Sequence, residues 1–160
     1  MNLYEKLRDK ACKDGANVID YPFESERIKG LYCDGTIAIR DNIDTTAEKS
    51  CILAEELGHY HTSTGDILEQ SITVNRKQEL HARIWAYNEL IGLKGIIRCY
   101  EHQCHSYSEM ADFLDVTERF LADALKYYKT KYGICVVHGQ YVIYFEPALS
   151  VMKKFDYTQI

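Results

Sequence analysis

The order of elements in this 160-residue chain predicts an α+β fold. Three observations carry that expectation. An Asp34-Gly35 dipeptide stands between two short runs of β-formers, "GLYC" and "TIAIR", as in a two-residue hairpin. Two longer central segments combine helix caps with apolar residues at helical spacing. A later region reads as helix, turn, helix before the pattern returns to that of strands.

Leu3 to Lys13 reads as an amphipathic helix stopped by Asp14-Gly15, and "NVIDYPF" is strand-like up to Pro22. Leu31 to Ile39 forms the hairpin, because Asp and Gly both accept the positive φ that a type I′ turn needs. Thr45 with Glu48 has capping-box spacing and opens a helix that carries Glu55, Glu56 and His59 and that Gly65 can end. After a loop through "DILEQSITVN", the stretch "RKQELHARIWAYNELIG" gives a second long helix, with Ala82, Trp85, Ala86 and Leu90 on one face and Gly92 near its stop. A shorter helix is expected over Ile96 to Gln103. Ser108 then caps Met110 to Leu114, Asp115-Val116 turns, and Thr117 caps a helix that ends near Gly133. "ICVVHGQYVIYFEP" is a second hairpin turning at His138-Gly139. The expected organisation is one unit over 1–104, a helix-turn-helix-like unit over 105–133 and a C-terminal hairpin and tail over 134–160.

Composition narrows the function classes. A chain with 46% hydrophobic and 27% charged residues can bury one core. Its formal net charge of -5 argues against general nucleic-acid binding, which relies on an excess of Lys and Arg, so direct contact with nucleic acid is not expected. A protein or peptide partner fits better. "MNLYEKLRDK" alternates charged and apolar residues, and no segment approaches the roughly 18 apolar residues of a membrane span, so a cytoplasmic location is expected. Cys12, Cys33, Cys51, Cys99, Cys104 and Cys135 follow no framework spacing and are expected to be reduced thiols.

The chemistry lies in "CILAEELGHYHT", Cys51 to Thr62. A His-Glu-x-x-His metal helix would have histidine where this chain has Glu55. Residues four apart share a helix face, so Glu55 and His59 can point at one ion while Glu56 acts as base toward water. The usual His-Glu-x-x-His motif holds zinc, but a ligand set richer in carboxylates favours harder cations than a His-rich set does, so beside zinc another divalent metal stays open. The plain reading of the same residues is a solvated face of an amphipathic helix.

Taken in order, "GLYCDGTIAI", "CILAEELGHYHTSTGDI", "RKQELHARIWA" and "SEMADFLDVTERFLADALKYYKTKYG" resemble the ImmA/IrrE family of metallopeptidases, from Met1 to about Gly133. The likeness is to the short members carried by prophages and other mobile elements. The resemblance implies a zincin-like metallopeptidase unit over 1–104, with Glu55 in place of the first ligand histidine, Glu56 as the catalytic residue, His59 as the second ligand and Glu79 as the acidic third. It also implies that Ala82 and Ala86 let the second helix approach the first. The implied activity is metal-assisted cleavage of the helix-turn-helix repressor that silences the element, which would make the protein an antirepressor. The competing class is a noncatalytic binding protein that recognises a regulator or DNA through Met110 to Tyr132, with the Glu-rich helix a relic.

Neighbouring candidates have simpler explanations. His61 and His81 each follow a proposed ligand by two residues and face elsewhere on their helices. "CYEHQCHS" holds Cys99, His102, Cys104 and His105, but the spacing matches no structural zinc pattern and reads as a helix end. "KYYKTKY" reads as a solvated helix end whose lysines suit the helix dipole. Finally, the hairpin Leu31 to Ile39 is expected to edge the cleft, where an extended peptide can pair with it.

Overall fold

Helix α1 (Leu3–Asp14) starts where its sequence says it should. The Asn2 side chain accepts from the Glu5 N–H, the Glu5 carboxylate accepts from the Asn2 N–H, and Gly15 closes the far end with φ +94°. The computed structural model describes residues 1–63 and 72–155. Within them the chain continues through β1 (Asn17–Tyr21), β2 (Gly30–Cys33), β3 (Thr36–Arg40), α2 (Thr46–Thr62), α3 (Ile72–Leu90), α4 (Gly92–Glu101), α5 (Tyr107–Leu114), α6 (Glu118–Tyr132), β4 (Cys135–His138), β5 (Tyr141–Tyr144) and β6 (Ser150–Lys153). The fold is α+β, as the element order predicts.

The first sheet has the order β1-β3-β2. β2 and β3 form the expected hairpin, with Asp34 at φ +47° and Gly35 at φ +78° in the turn. β1 runs parallel to β3, so this sheet is mixed and not wholly antiparallel. That pairing leaves β2 at an edge. Ile37 and Ile39 of the central strand β3 are fully buried against α2 and α1, which supply Leu53, Ala54, Leu57, Leu7 and Ala11. The same apolar cluster continues through Tyr87 and Leu90 of α3 to Leu121, Ala124 and Tyr128 of α6 and Ile143 of β5.

Several boundaries differ from expectation. α3 begins at Ile72, inside the segment read as a loop through Asn75. α4 begins at Gly92 instead of Ile96, because Ile91 and Gly92 make the bend at which one helix ends and the next starts; Gly92 has φ +61°. α5 is capped by Ser106, not Ser108. The Ser106 hydroxyl accepts from the Glu109 N–H at 3.1 Å, and the Glu109 carboxylate accepts from the His105 N–H at 2.6 Å. Thr117 caps α6 as predicted, accepting from the Phe120 N–H at 3.1 Å. The second hairpin turns at Gly139-Gln140, one residue later than expected, since His138 pairs with Tyr141. β6, which the sequence reading did not anticipate, adds to β5 and completes a three-stranded antiparallel sheet. The proposed stop of α2 at Gly65 lies outside the described residues; within them the helix ends at Thr62. No described helix is long and apolar enough to cross a membrane.

Candidate active site

α2 is the helix on which the site is built. Thr45 caps it by accepting from the Glu48 N–H at 3.2 Å, and its apolar positions Leu53, Ala54 and Leu57 hold it in the core. Its next turn carries Glu55, Glu56 and His59. α3 packs along it at very short range. A Cβ added at Gly58 would lie 2.2 Å from the Ala82 carbonyl oxygen, so only glycine permits the approach. Ala82 and Ala86 are buried at the contact, as the small-residue reading predicts. Because the helices touch here, Glu79 of α3 reaches α2: its Oε1 stands 3.2 Å from His59 Nε2.

His59, Glu79 and Glu56 line a single cavity of about 430 Å³, together with Gly30, Leu31 and Tyr32 of the edge strand β2. The hairpin thus borders the cleft, as expected. Gly30 has a second role: a Cβ there would lie 2.6 Å from Ile52 Cγ2 and 3.0 Å from Glu56 Oε1, so its absence lets β2 lie against the glutamate. The Glu56 carboxyl is pushed up to about 7. Burial is the main cause, and the charges of Glu55 and Glu79 add to it, while a hydrogen bond from the Tyr32 backbone N–H opposes it.

Glu55 does not line that cavity. It is half-buried, and burial is the main reason its pKa rises; Arg83 and Arg119 lower it, and Glu79 and Asp123 raise it. Among the described residues, no three His, Cys, Asp or Glu side chains converge on a point that an ion could fill. His59 and Glu79 do converge as a pair of the right donor types, imidazole nitrogen and carboxylate oxygen. Glu79 disfavours the charge of Glu55, and Glu55 and Glu79 together disfavour that of Glu56, a repulsion that a bound cation would relieve. The donor set therefore suits a divalent ion at the His59–Glu79 pair, with Glu55 set apart from the two.

The other metal-capable residues are accounted for differently. His61 Nε2 meets Asp14 Oδ2 at 3.0 Å, and its ring stacks on Trp85 with centroids 4.7 Å apart, tying α2 to α1 and α3 outside the cleft. His81 is exposed. Cys99 is buried, and His102 stacks on Phe113 at 4.3 Å, so the "CYEHQCHS" stretch is a helix end as read. "KYYKTKY" differs from its reading as a merely solvated end. Its lysines are exposed, but Tyr128 is buried, accepting from the Gly92 N–H and donating to Asn88 Oδ1, both at 3.1 Å.

Three contributors escaped the sequence reading: the Tyr32 N–H, Gly30 and Arg83. Gly30 carried a usable signal, since a glycine opening a strand often marks a close backbone approach. Arg83 stands four residues beyond Glu79, a spacing that places it on the same helix face. The Tyr32 N–H carried no signal, because a backbone donor is common to every residue.

A comparison with curated proteins finds no match to this chain. The family model of the IrrE N-terminal-like domain, Peptidase_M78, matches residues 12–126, within the span over which the motifs resemble ImmA/IrrE proteins. α2 carries Glu56 and His59, α3 brings Glu79 to His59 and the edge strand β2 borders their cleft; with more than half of its length matched, the chain belongs to the IrrE N-terminal-like peptidase family.

Proposed function

We propose that the protein is a metal-dependent endopeptidase of a phage or mobile element that cleaves its cognate helix-turn-helix repressor and so acts as an antirepressor. The observation that carries this reading is one cavity in which Glu56, with its raised pKa, faces the His59–Glu79 pair beside an open strand edge.

In the proposed mechanism His59 and Glu79 would hold the ion, and Glu55, one turn before His59 and outside their cavity, would have to turn in to serve as a third ligand. A divalent ion, zinc or a harder relative, supplies Lewis-acid polarisation of the scissile carbonyl and acidifies water. Glu56 takes a proton from the attacking water at its carboxylate and passes it to the leaving amide nitrogen. Its pKa near neutrality suits a group that must do both. β2 orients the substrate. The Lys29 carbonyl accepts from the Arg40 N–H at 2.8 Å, so Lys29, Leu31 and Cys33 face β3 while Gly30 and Tyr32 turn their backbone groups to the free edge. An extended segment of the repressor pairs there. The helix-turn-helix-like unit over 105–133 docks a protein partner more readily than DNA, because Glu118 and Asp123 place negative charge on α6.

A second reading, a noncatalytic binding protein, is favoured by one observation: Glu55 stands apart from the His59–Glu79 pair. Metal analysis of the purified protein, combined with a cleavage assay on the cognate repressor, separates the two. Stoichiometric metal that is lost in His59→Ala and Glu79→Ala, with cleavage abolished in Glu56→Gln while metal is retained, supports the peptidase. A folded protein with no affinity for zinc, manganese or iron(II), and no cleavage, refutes it. Equal metal content in Glu55→Gln and the parent removes Glu55 from the ligand shell.

A further inference from the structure

We infer that the peptide cleft continues into a basic subsite, formed by Arg76 and Arg83, that selects a carboxylate in the substrate. The inference rests on the reading above that the cleft receives a peptide.

Beside the Glu56–His59–Glu79 cavity lies a second one of about 410 Å³, lined by Asn75, Arg76, Glu79, Leu80 and Arg83. The two cavities share Asn75 and Glu79, so they adjoin along α3. Arg76 and Arg83 stand two helical turns apart on one face of α3, about 10 Å along the axis, the length of roughly three extended residues. Both are exposed. Glu79 lies three residues after Arg76 and four before Arg83, spacings at which it could pair with either. Its carboxylate turns instead to His59 at 3.2 Å, and among the described residues neither guanidinium has an ion-pair partner within 4.0 Å. The Arg83 charge reaches Glu55 but makes no close pair with it.

Charge placement gives the subsite its selectivity. Glu79 lines both cavities, but Glu56 adds a second carboxylate to the reacting one alone, whereas Arg76 and Arg83 line only its neighbour. An acidic group is therefore accepted at one register and rejected at the reacting centre, which fixes how far the peptide is threaded. Guanidinium groups suit this task because they bind carboxylates with two parallel hydrogen bonds. Leu80, half exposed between them, offers an apolar floor for the carbon stem of Asp or Glu.

The probe is a randomised decapeptide library, made once with amidated and once with free C-termini. It is offered to the immobilised full chain in EDTA, and the bound pool is sequenced by mass spectrometry. Enrichment of Asp and Glu by about tenfold in the amidated pool, lost in Arg76→Gln/Arg83→Gln and kept in Arg76→Lys/Arg83→Lys, supports a side-chain carboxylate. Enrichment of free-acid over amidated peptides with the same arginine dependence assigns the C-terminal carboxylate. Bound pools of equal acidic content from the parent and the Gln variant, or a parent pool no more acidic than the input, overturn the inference. Because the assay needs neither metal nor cleavage, failure of the peptidase reading leaves its result interpretable.

Discussion

Replacing Glu56 by Gln should stabilise the metal-free protein at pH 8 and leave its stability unchanged near pH 4. Burial and like charge push the Glu56 carboxyl up to about 7 in the folded protein from its ordinary 4.5. Between those values the unfolded chain carries the carboxylate and the folded chain the neutral acid, so the native state binds more protons. Stability contributed by this group is then full below about 4.5 and falls as pH rises toward 7. At about 1.4 kcal/mol per pH unit the interval corresponds to roughly 3 kcal/mol of destabilisation above pH 7. The solvent that reaches this half-buried group trims that figure, and the amide accepts the Tyr32 N–H less strongly than a carboxylate does, so the net gain at pH 8 is about 2 kcal/mol. Glu55, also raised, contributes to both proteins and largely cancels. Urea unfolding followed by circular dichroism in EDTA at pH 4 and pH 8 measures the difference. An equal effect at both pH values, or a loss of stability at pH 8, would refute the idea that burial and like charge hold this carboxyl at high pKa.

Three further outcomes follow from the packing. Gly58→Ala should cost at least about 3 kcal/mol in thermal unfolding, because its Cβ meets backbone at Ala82 and only parting the helices relieves it; a midpoint within two or so degrees of the parent would contradict the contact. Gly30→Ala should push β2 away from Glu56, lowering the pKa of Glu56 through better hydration, read by carboxyl titration in carbon-13 NMR, with fold and core intact. Tyr128→Phe should cost about 1 kcal/mol, since it removes the hydrogen bonds to the half-buried Gly92 N–H and to the exposed Asn88 carbonyl; an unchanged urea midpoint would show that water replaces the hydroxyl.

Local signals in the chain were legible because their causes are local. Asp34-Gly35 favours a tight turn, Thr45 and Thr117 favour helix N-caps, and Ala82 and Ala86 are small enough for a close helix contact. Glu56, His59 and Glu79 could be gathered into one site from spacing and family resemblance, and they do line one cavity. What sequence could not convey is depth and direction. Glu55 shares a helix face with His59, yet the two differ in what surrounds them: Glu55 faces the charges of Arg83, Arg119 and Asp123, contributed by residues distant in sequence. β1 was legible as a strand, but its parallel pairing depends on the path of the chain from 22 to 29, and β6 has no alternation strong enough to declare itself. The tyrosines of "KYYKTKY" looked solvated because their core partners, Asn88 and Gly92, lie some forty residues away.

An open strand edge is a hazard as well as a tool. A strand that must stay unpaired to receive a guest also invites the same strand of another copy, the first step toward aggregation. β2 is short, only four residues, and one of its two outward N–H groups, that of Tyr32, is held by Glu56. Any visitor to that edge must displace a carboxylate and approach two further acidic side chains, which a second copy, itself carrying net negative charge, does at a disadvantage. The glutamate proposed for proton transfer would thus also guard the edge, making it a poor seat for a second copy of the chain.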